Sequence, residues 1–153
     1  MANTYTQIHV QIVFAVKFRA AQIAPTWKAK LHRFITKLVQ NAGHKMLQVN
    51  SMPDHIHIFV GFRPDDAISN LVRTVKSEST KWINNEKFTD QKFHWQSGYG
   101  AFSYSKSDVH RVIQYIQNQE AHHKRKTFLE EYQEFLKRFE IDYDDAYIFS
   151  PLI

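Results

Sequence analysis

The sequence predicts an α+β fold: an antiparallel sheet with helices on one face, followed by further helices at the C-terminal end. Three observations carry that expectation. Apolar and polar residues alternate around Ile8-His9-Val10-Gln11-Ile12 and again through His55-Ile56-His57-Ile58, the period of half-buried strands. Other segments repeat apolar residues every three or four positions, the period of amphipathic helices. The two kinds of segment interleave along the chain, as in a small sheet covered by helices.

Tyr5 to Phe18 reads as the first strand, becoming fully apolar at Val13-Phe-Ala-Val16. Arg19 to Ala24 is a connection, and Pro25 suits the first turn of a helix, where its missing N–H costs nothing. Trp27, Leu31, Phe34, Ile35, Leu38 and Val39 form the stripe of that helix, with Gly43 as its stop. Lys45 to Asn50 is a short strand, Ser51 to Asp54 a turn, and His55 to Gly61 the next strand, with Ile56, Ile58 and Val60 on its buried face. Pro64-Asp-Asp66 can open a second helix striped by Ile68, Leu71, Val72, Val75 and Trp82. Ala101 to Tyr104 is a last short strand after Gly98-Tyr-Gly100. Ser105 or Ser107 can cap the helix that follows, packed through Val109, Val112, Ile113 and Ile116. A final amphipathic helix carries Phe128, Leu129, Tyr132, Phe135, Leu136 and Phe139. The first six elements spell βαββαβ, the ferredoxin-like order. Residues 1–153 read as one domain, without repeats or a dividing linker.

Composition narrows the function classes. A chain that is 43% hydrophobic and 14% aromatic can bury a core, so disorder is excluded. It has no cysteine, which removes disulfides and thiolate metal sites and favours the cytoplasm. No apolar run approaches the roughly 18 residues of a membrane helix. The first residues lack the apolar stretch of a signal peptide. The net charge of +5 favours a polyanionic partner such as nucleic acid.

Chemistry enters at His55-Ile56-His57. In a strand, residues i and i+2 share a face, so these two imidazoles lie side by side and can share one divalent metal. Tyr115 and Gln119, four apart in a helical segment, share a helix face. A metal pair, a phenol and an amide are the parts of a metal-assisted phosphoryl transfer with a tyrosine nucleophile. Asp54 reads as a turn residue after Pro53, or as a carboxylate behind the metal pair. His122 and His123 follow Gln119 on nearly its face; they read as lining the site or contacting phosphate, not as ligands. The basic side chains Arg73, Lys76, Lys81, Lys124, Arg125 and Lys126 are candidates for tracking a DNA backbone.

Five segments in order, Val13-Phe-Ala-Val-Lys17, Asn41-Ala-Gly-His-Lys45, Met52-Pro-Asp-His-Ile-His57, Trp95-Gln-Ser-Gly-Tyr-Gly-Ala-Phe-Ser103 and Tyr115-Ile-Gln-Asn-Gln119, resemble the small single-tyrosine transposases of the IS200/IS605 group, a branch of the HUH endonucleases. The resemblance implies that His55, His57 and Gln119 hold Mg²⁺ or Mn²⁺ and that Tyr115 forms a 5′-phosphotyrosine with the DNA. It implies a substrate of single-stranded DNA with subterminal hairpins. It also implies a homodimer with shared sites, in which Tyr115 and Gln119 of one subunit serve the His pair of the other. Relaxases usually place the tyrosine before the His pair, and replication initiators often set a lysine four residues after it. Here Tyr115 follows the pair and Gln119 takes the lysine's place. A domesticated, repeat-associated nuclease would carry the same residues. A non-catalytic ferredoxin-like nucleic-acid-binding module is the remaining alternative.

Overall fold

The computed structural model describes residues 4–19 and 22–144. Its sheet is built from β1 (His9–Ala15), β2 (Lys45–Met52), β3 (His55–Gly61) and β4 (Gly100–Tyr104). The order across the sheet is β2-β3-β1-β4, and each neighbouring pair is antiparallel. Helices α1 (Pro25–Asn41) and α2 (Ile68–Glu86) supply the two crossovers of the ferredoxin-like pattern. After β4 come α3 (Val109–Gln117), α4 (Gln119–His123) and α5 (Phe128–Arg138).

Two layers of helix cover the two sheet faces. On one, Val10, Ile12, Phe14, Ile56, Ile58 and Val60 pack against Leu31 and Ile35 of α1 and Leu71 and Val75 of α2. On the other, Val13, Ala15 and Phe102 meet Phe128, Phe135 and Leu136 of α5, while Phe59 meets Val112 and Ile116 of α3. Strand β3 is therefore buried on both faces rather than one.

Several boundaries differ from the sequence reading, each for a local reason. β1 begins at His9, because that residue pairs with the last residues of both neighbouring ladders, Gly61 and Tyr104. It ends before Phe18, whose φ of 60° turns the chain away. β2 runs on to Met52, paired with His55, so the turn shrinks to Pro53 and Asp54. α2 starts only at Ile68; Asp66 instead accepts from His44 Nε2 at 2.8 Å and from the Ala67 N–H. Neither Ser105 nor Ser107 caps α3. Asp108 holds that position, and the Ser105 hydroxyl bonds the Ser107 hydroxyl and the Asp108 carboxylate. The stripe of α2 is completed by buried Ile83, with Trp82 beside it stacked on Phe34. The helix bearing Tyr115 is not continuous to Gln119: Asn118 leaves helical geometry, and α4 begins anew. Asn50 of β2 donates its amide to the Ile116 carbonyl at 2.8 Å, fixing the end of α3 against the sheet.

Candidate metal and nucleophile site

The site lies where β3 faces α3, α4 and α5. His55 and His57 are fully buried on that face, with ring centroids 5.1 Å apart. Each ring is fixed from behind. His55 Nδ1 donates to Asp54 Oδ1 at 2.7 Å, and His57 Nδ1 donates to Gln11 Oε1 at 2.7 Å. The Gln11 amide nitrogen donates to the Tyr104 hydroxyl, so its oxygen is the end turned to His57. Both Nε2 atoms are thereby aimed into the site, the arrangement by which metal-binding histidines are oriented. Asp54 is thus both turn residue and supporting carboxylate. Phe128 covers His55, stacked with centroids 3.9 Å apart and planes within 4°.

Tyr115 and Gln119 reach the same place from above. The Tyr115 ring lies edge-on to His57, centroids 6.1 Å apart. Gln119 is fully buried, its Oε1 3.4 Å from His55 Nε2. The four residues proposed from the sequence therefore meet within one chain.

Two further residues complete the cluster. Glu131 of α5 is 1% exposed. Its Oε1 lies 3.2 Å from His57 Nε2, 3.7 Å from His55 Nε2 and 3.2 Å from His123 Nε2. Its Oε2 accepts from the Tyr115 hydroxyl and, at 3.2 Å, from the Gln119 amide. One ligand atom from each of His55, His57, His123 and Glu131 falls within 4.8 Å of the others. His123, read from the sequence as lining the site or contacting phosphate, lines it, because α4 restarts so as to turn its imidazole inward. His123 and Gln119 are four apart in α4 and touch at 2.9 Å. The signal for Glu131 was present in the sequence: it interrupts the apolar stripe of α5, three residues after Phe128 and four before Phe135.

The titrations follow from this crowding. Burial would raise Glu131, but facing His57, His123 and His55 outweigh it and hold the carboxyl far below its usual range. Burial, then the charge and hydrogen bond of Glu131, push the Tyr115 phenol far above its usual value. Burial holds His55 low against the pull of Asp54. Burial would lower His123 too, but Glu131 raises it. A buried set of imidazole and carboxylate donors fits a divalent cation in its chemistry.

The basic candidates divide. Arg73, Lys76 and Lys81 stand on α2, the helix against the opposite sheet face. The Lys76 ammonium donates to the Gln96 and Gly98 carbonyls, both at 2.7 Å. Lys81 pairs with Glu78, and Arg73 bonds Asn70. Lys124 and Arg125 are exposed just beyond the site, and Lys126 pairs with Glu134 at 2.6 Å. Arg111 and Arg138, passed over in the sequence reading, flank Tyr115 across a cavity of about 150 Å³ lined also by Gln11, Tyr104 and Phe135. No helix among the described residues is long and apolar enough to cross a membrane.

Comparison with known proteins agrees on one kind of relative. The profile of the family described as "Transposase IS200 like" matches residues 4–119. The transposase for insertion sequence element IS200 of Salmonella typhimurium is 25% identical over 125 residues, covering 78% of this chain and 81% of that protein. The ISDra2 transposase TnpA of Deinococcus radiodurans is 20% identical over 118 residues, covering 74% and 84%. Among solved structures, a REP-associated tyrosine transposase bound to a REP hairpin superposes with a TM-score of 0.62 at 17% identity, over 99% of this chain and 96% of that one. At that identity the likeness is one of fold.

Proposed function

Because the chain belongs to the IS200-like transposase family, we propose that it cleaves and rejoins single-stranded DNA at element ends through a 5′-phosphotyrosine on Tyr115. The observation that carries the reading is that the Tyr115 ring lies edge-on to His57 while its hydroxyl shares Glu131 Oε2 with the Gln119 amide, the other oxygen of that carboxylate facing His55 and His57.

In this scheme His55, His57 and Gln119 hold a divalent ion, Mg²⁺ or Mn²⁺. When bound, the ion supplies Lewis-acid polarisation of the scissile phosphate and offsets charge on the leaving oxygen. The protein's own residues do the rest. Asp54 and Gln11 keep the two imidazoles turned inward. Tyr115 Oη attacks phosphorus, the bond to the 3′ oxygen breaks, and the phenolic proton passes towards Glu131 Oε2, which already accepts it. The covalent link conserves the bond energy, so rejoining needs no nucleotide cofactor. Arg111 and Arg138 stand at the cavity beside Tyr115, where an anionic strand would arrive. Hairpin-bearing single-stranded DNA is the substrate class we favour. The structural neighbour over nearly the whole chain was solved with a REP hairpin, which makes repeat-derived hairpins a second substrate to test.

The test is a covalent-adduct assay with Mn²⁺ and labelled single-stranded DNA from both flanks of the gene and from repeat hairpins. Wild type should form a metal-dependent adduct. Tyr115→Phe should lower it by about a thousandfold or more while DNA still binds. Binding without any adduct would favour the non-catalytic module. Mixing His57→Ala with Tyr115→Phe protein separates the two ways of assembling the site. A homodimer with exchanged sites would regain activity on mixing. A site closed within each chain, which the geometry favours, would not.

A further inference from the structure

Glu131 belongs to none of the motifs above, yet the whole site converges on its carboxylate. The Nδ1 atoms of His55, His57 and His123 all face pure acceptors: Asp54 Oδ1, Gln11 Oε1 and the Lys126 carbonyl, the last at 2.9 Å. Each Nδ1 must therefore carry a proton. The three Nε2 atoms converge on two acceptor oxygens: Glu131 Oε1, 3.2 Å from His57, 3.2 Å from His123 and 3.7 Å from His55, and Gln119 Oε1, 2.9 Å from His123 and 3.4 Å from His55. Where the rings are neutral, their lone pairs and these oxygens repel one another unless positive charge lies between them. A divalent cation held between them supplies it, and one donor atom from each of His55, His57, His123 and Glu131 falls within 4.8 Å of the others. The Nε2 to Oε1 separations of 3.2–3.7 Å are those of donors that can share one ion and leave room for a further ligand.

We propose that His123 and Glu131 join His55 and His57 as ligands of one first-row transition ion, bound in preference to Mg²⁺, with Glu131 linking that ion to Tyr115 through its second oxygen. This rests on the reading of the same pocket as the metal site. Three imidazoles and one carboxylate form a set that suits transition ions. Mg²⁺ prefers oxygen donors and retained water. Gln119 then has a bracing role as well: its amide donates to Glu131 Oε2, the oxygen that accepts from Tyr115. Metal and nucleophile are thus set in register by one side chain of α5.

The experiment titrates the metal-free full chain with Mn²⁺, reading the loss of the free-ion electron paramagnetic resonance signal, and then competes with Mg²⁺. Wild type, Glu131→Gln, His123→Ala and His57→Ala are compared, with circular dichroism and melting of each metal-free protein as the check on folding. Glu131→Gln and His123→Ala should each weaken Mn²⁺ binding by ~10-fold or more, and Mg²⁺ should displace Mn²⁺ only at ~100-fold excess. Should Glu131→Gln not fold, His123→Ala, on the partly exposed α4, still gives the answer. Wild-type affinity in the folded variants, or displacement by equimolar Mg²⁺, overturns the proposal. If both variants bind Mn²⁺ normally while the Tyr115 adduct forms, the proposal fails and the nuclease reading stands. If they lose Mn²⁺ while wild type forms no adduct on any DNA, the ligand set stands and the nuclease reading fails.

Discussion

The two faces of β3 are equally buried and do opposite things. Ile56, Ile58 and Val60 point into an apolar layer with α1 and α2, where burial itself stabilises the fold. His55 and His57 point into a layer with α3, α4 and α5 that is threaded by a carboxylate, a phenol, an amide and further imidazoles. Burying such groups stabilises only as far as each finds its partner. The first face thus secures the sheet so that the second can hold a buried polar arrangement. Ordinary core packing on one side and costly polar burial on the other is what a rigid scaffold for a reactive site requires.

The largest test of that division breaks the first face and watches the second. Leu31 is fully buried between α1 and the sheet. Leu31→Ala should cost about 3–4 kcal/mol of unfolding free energy. If the faces act independently, saturating Mn²⁺ should still stabilise the variant as much as wild type, about 2.7 kcal/mol at a hundredfold excess over Kd. Chemical denaturation with and without Mn²⁺ measures both terms. A shrunken Mn²⁺ increment would mean that the faces are coupled.

A smaller perturbation enters at the seam where the site layer is fastened. A Cβ on Gly100 of β4 would lie 2.7 Å from the Tyr132 hydroxyl and 3.0 Å from the Phe102 ring. Gly100→Ala must displace the ring end of Tyr132, which stands one residue after Glu131 on α5. The expected cost is about 1–3 kcal/mol, together with weaker Mn²⁺ binding. Leu31→Ala should reproduce the loss of stability but not the loss of metal. Melting curves and Mn²⁺ titrations of the two variants, side by side, decide this.

The first face was the legible one. The stripes Trp27-Leu31-Ile35-Val39 and Leu71-Val72-Val75 and the strand His55–Gly61 follow from periodicity alone, because apolar burial leaves a period in the sequence. The order βαββαβ followed with it. Of the site, His55 and His57 were legible because strand alternation sets them together at a distance of two residues. His123 was not, because its place depends on the restart of the helix after Asn118, which has no local signature. Glu131 broke the apolar stripe of its helix, and a carboxylate at such a position is the mark to look for. The cations were legible only as charge: the sequence says that Lys76 is basic but not that its ammonium is engaged by the Gln96 and Gly98 carbonyls.

The smallest test compares histidine with histidine across the sheet. His32 of α1 bonds the Ser51 hydroxyl at 2.8 Å, with no carboxylate beside it among the interactions described. Burial, and then the charge of Lys28, lower its pKa to about 4. Between that value and the ordinary 6.5 the unfolded chain takes up a proton that the folded chain refuses. The contribution is therefore complete above about pH 6.5 and is lost as the pH falls towards 4. Discounted for partial exposure, it is on the order of 1 kcal/mol. His32→Gln, which can still bond Ser51, should flatten the fall in stability over that window when denaturant midpoints are followed against pH. His123, facing Glu131, is shifted the other way, so the same residue type is held neutral on the structural face and drawn towards positive charge on the site face. An unchanged pH profile in His32→Gln would show that the acid sensitivity of the fold arises on the site face instead.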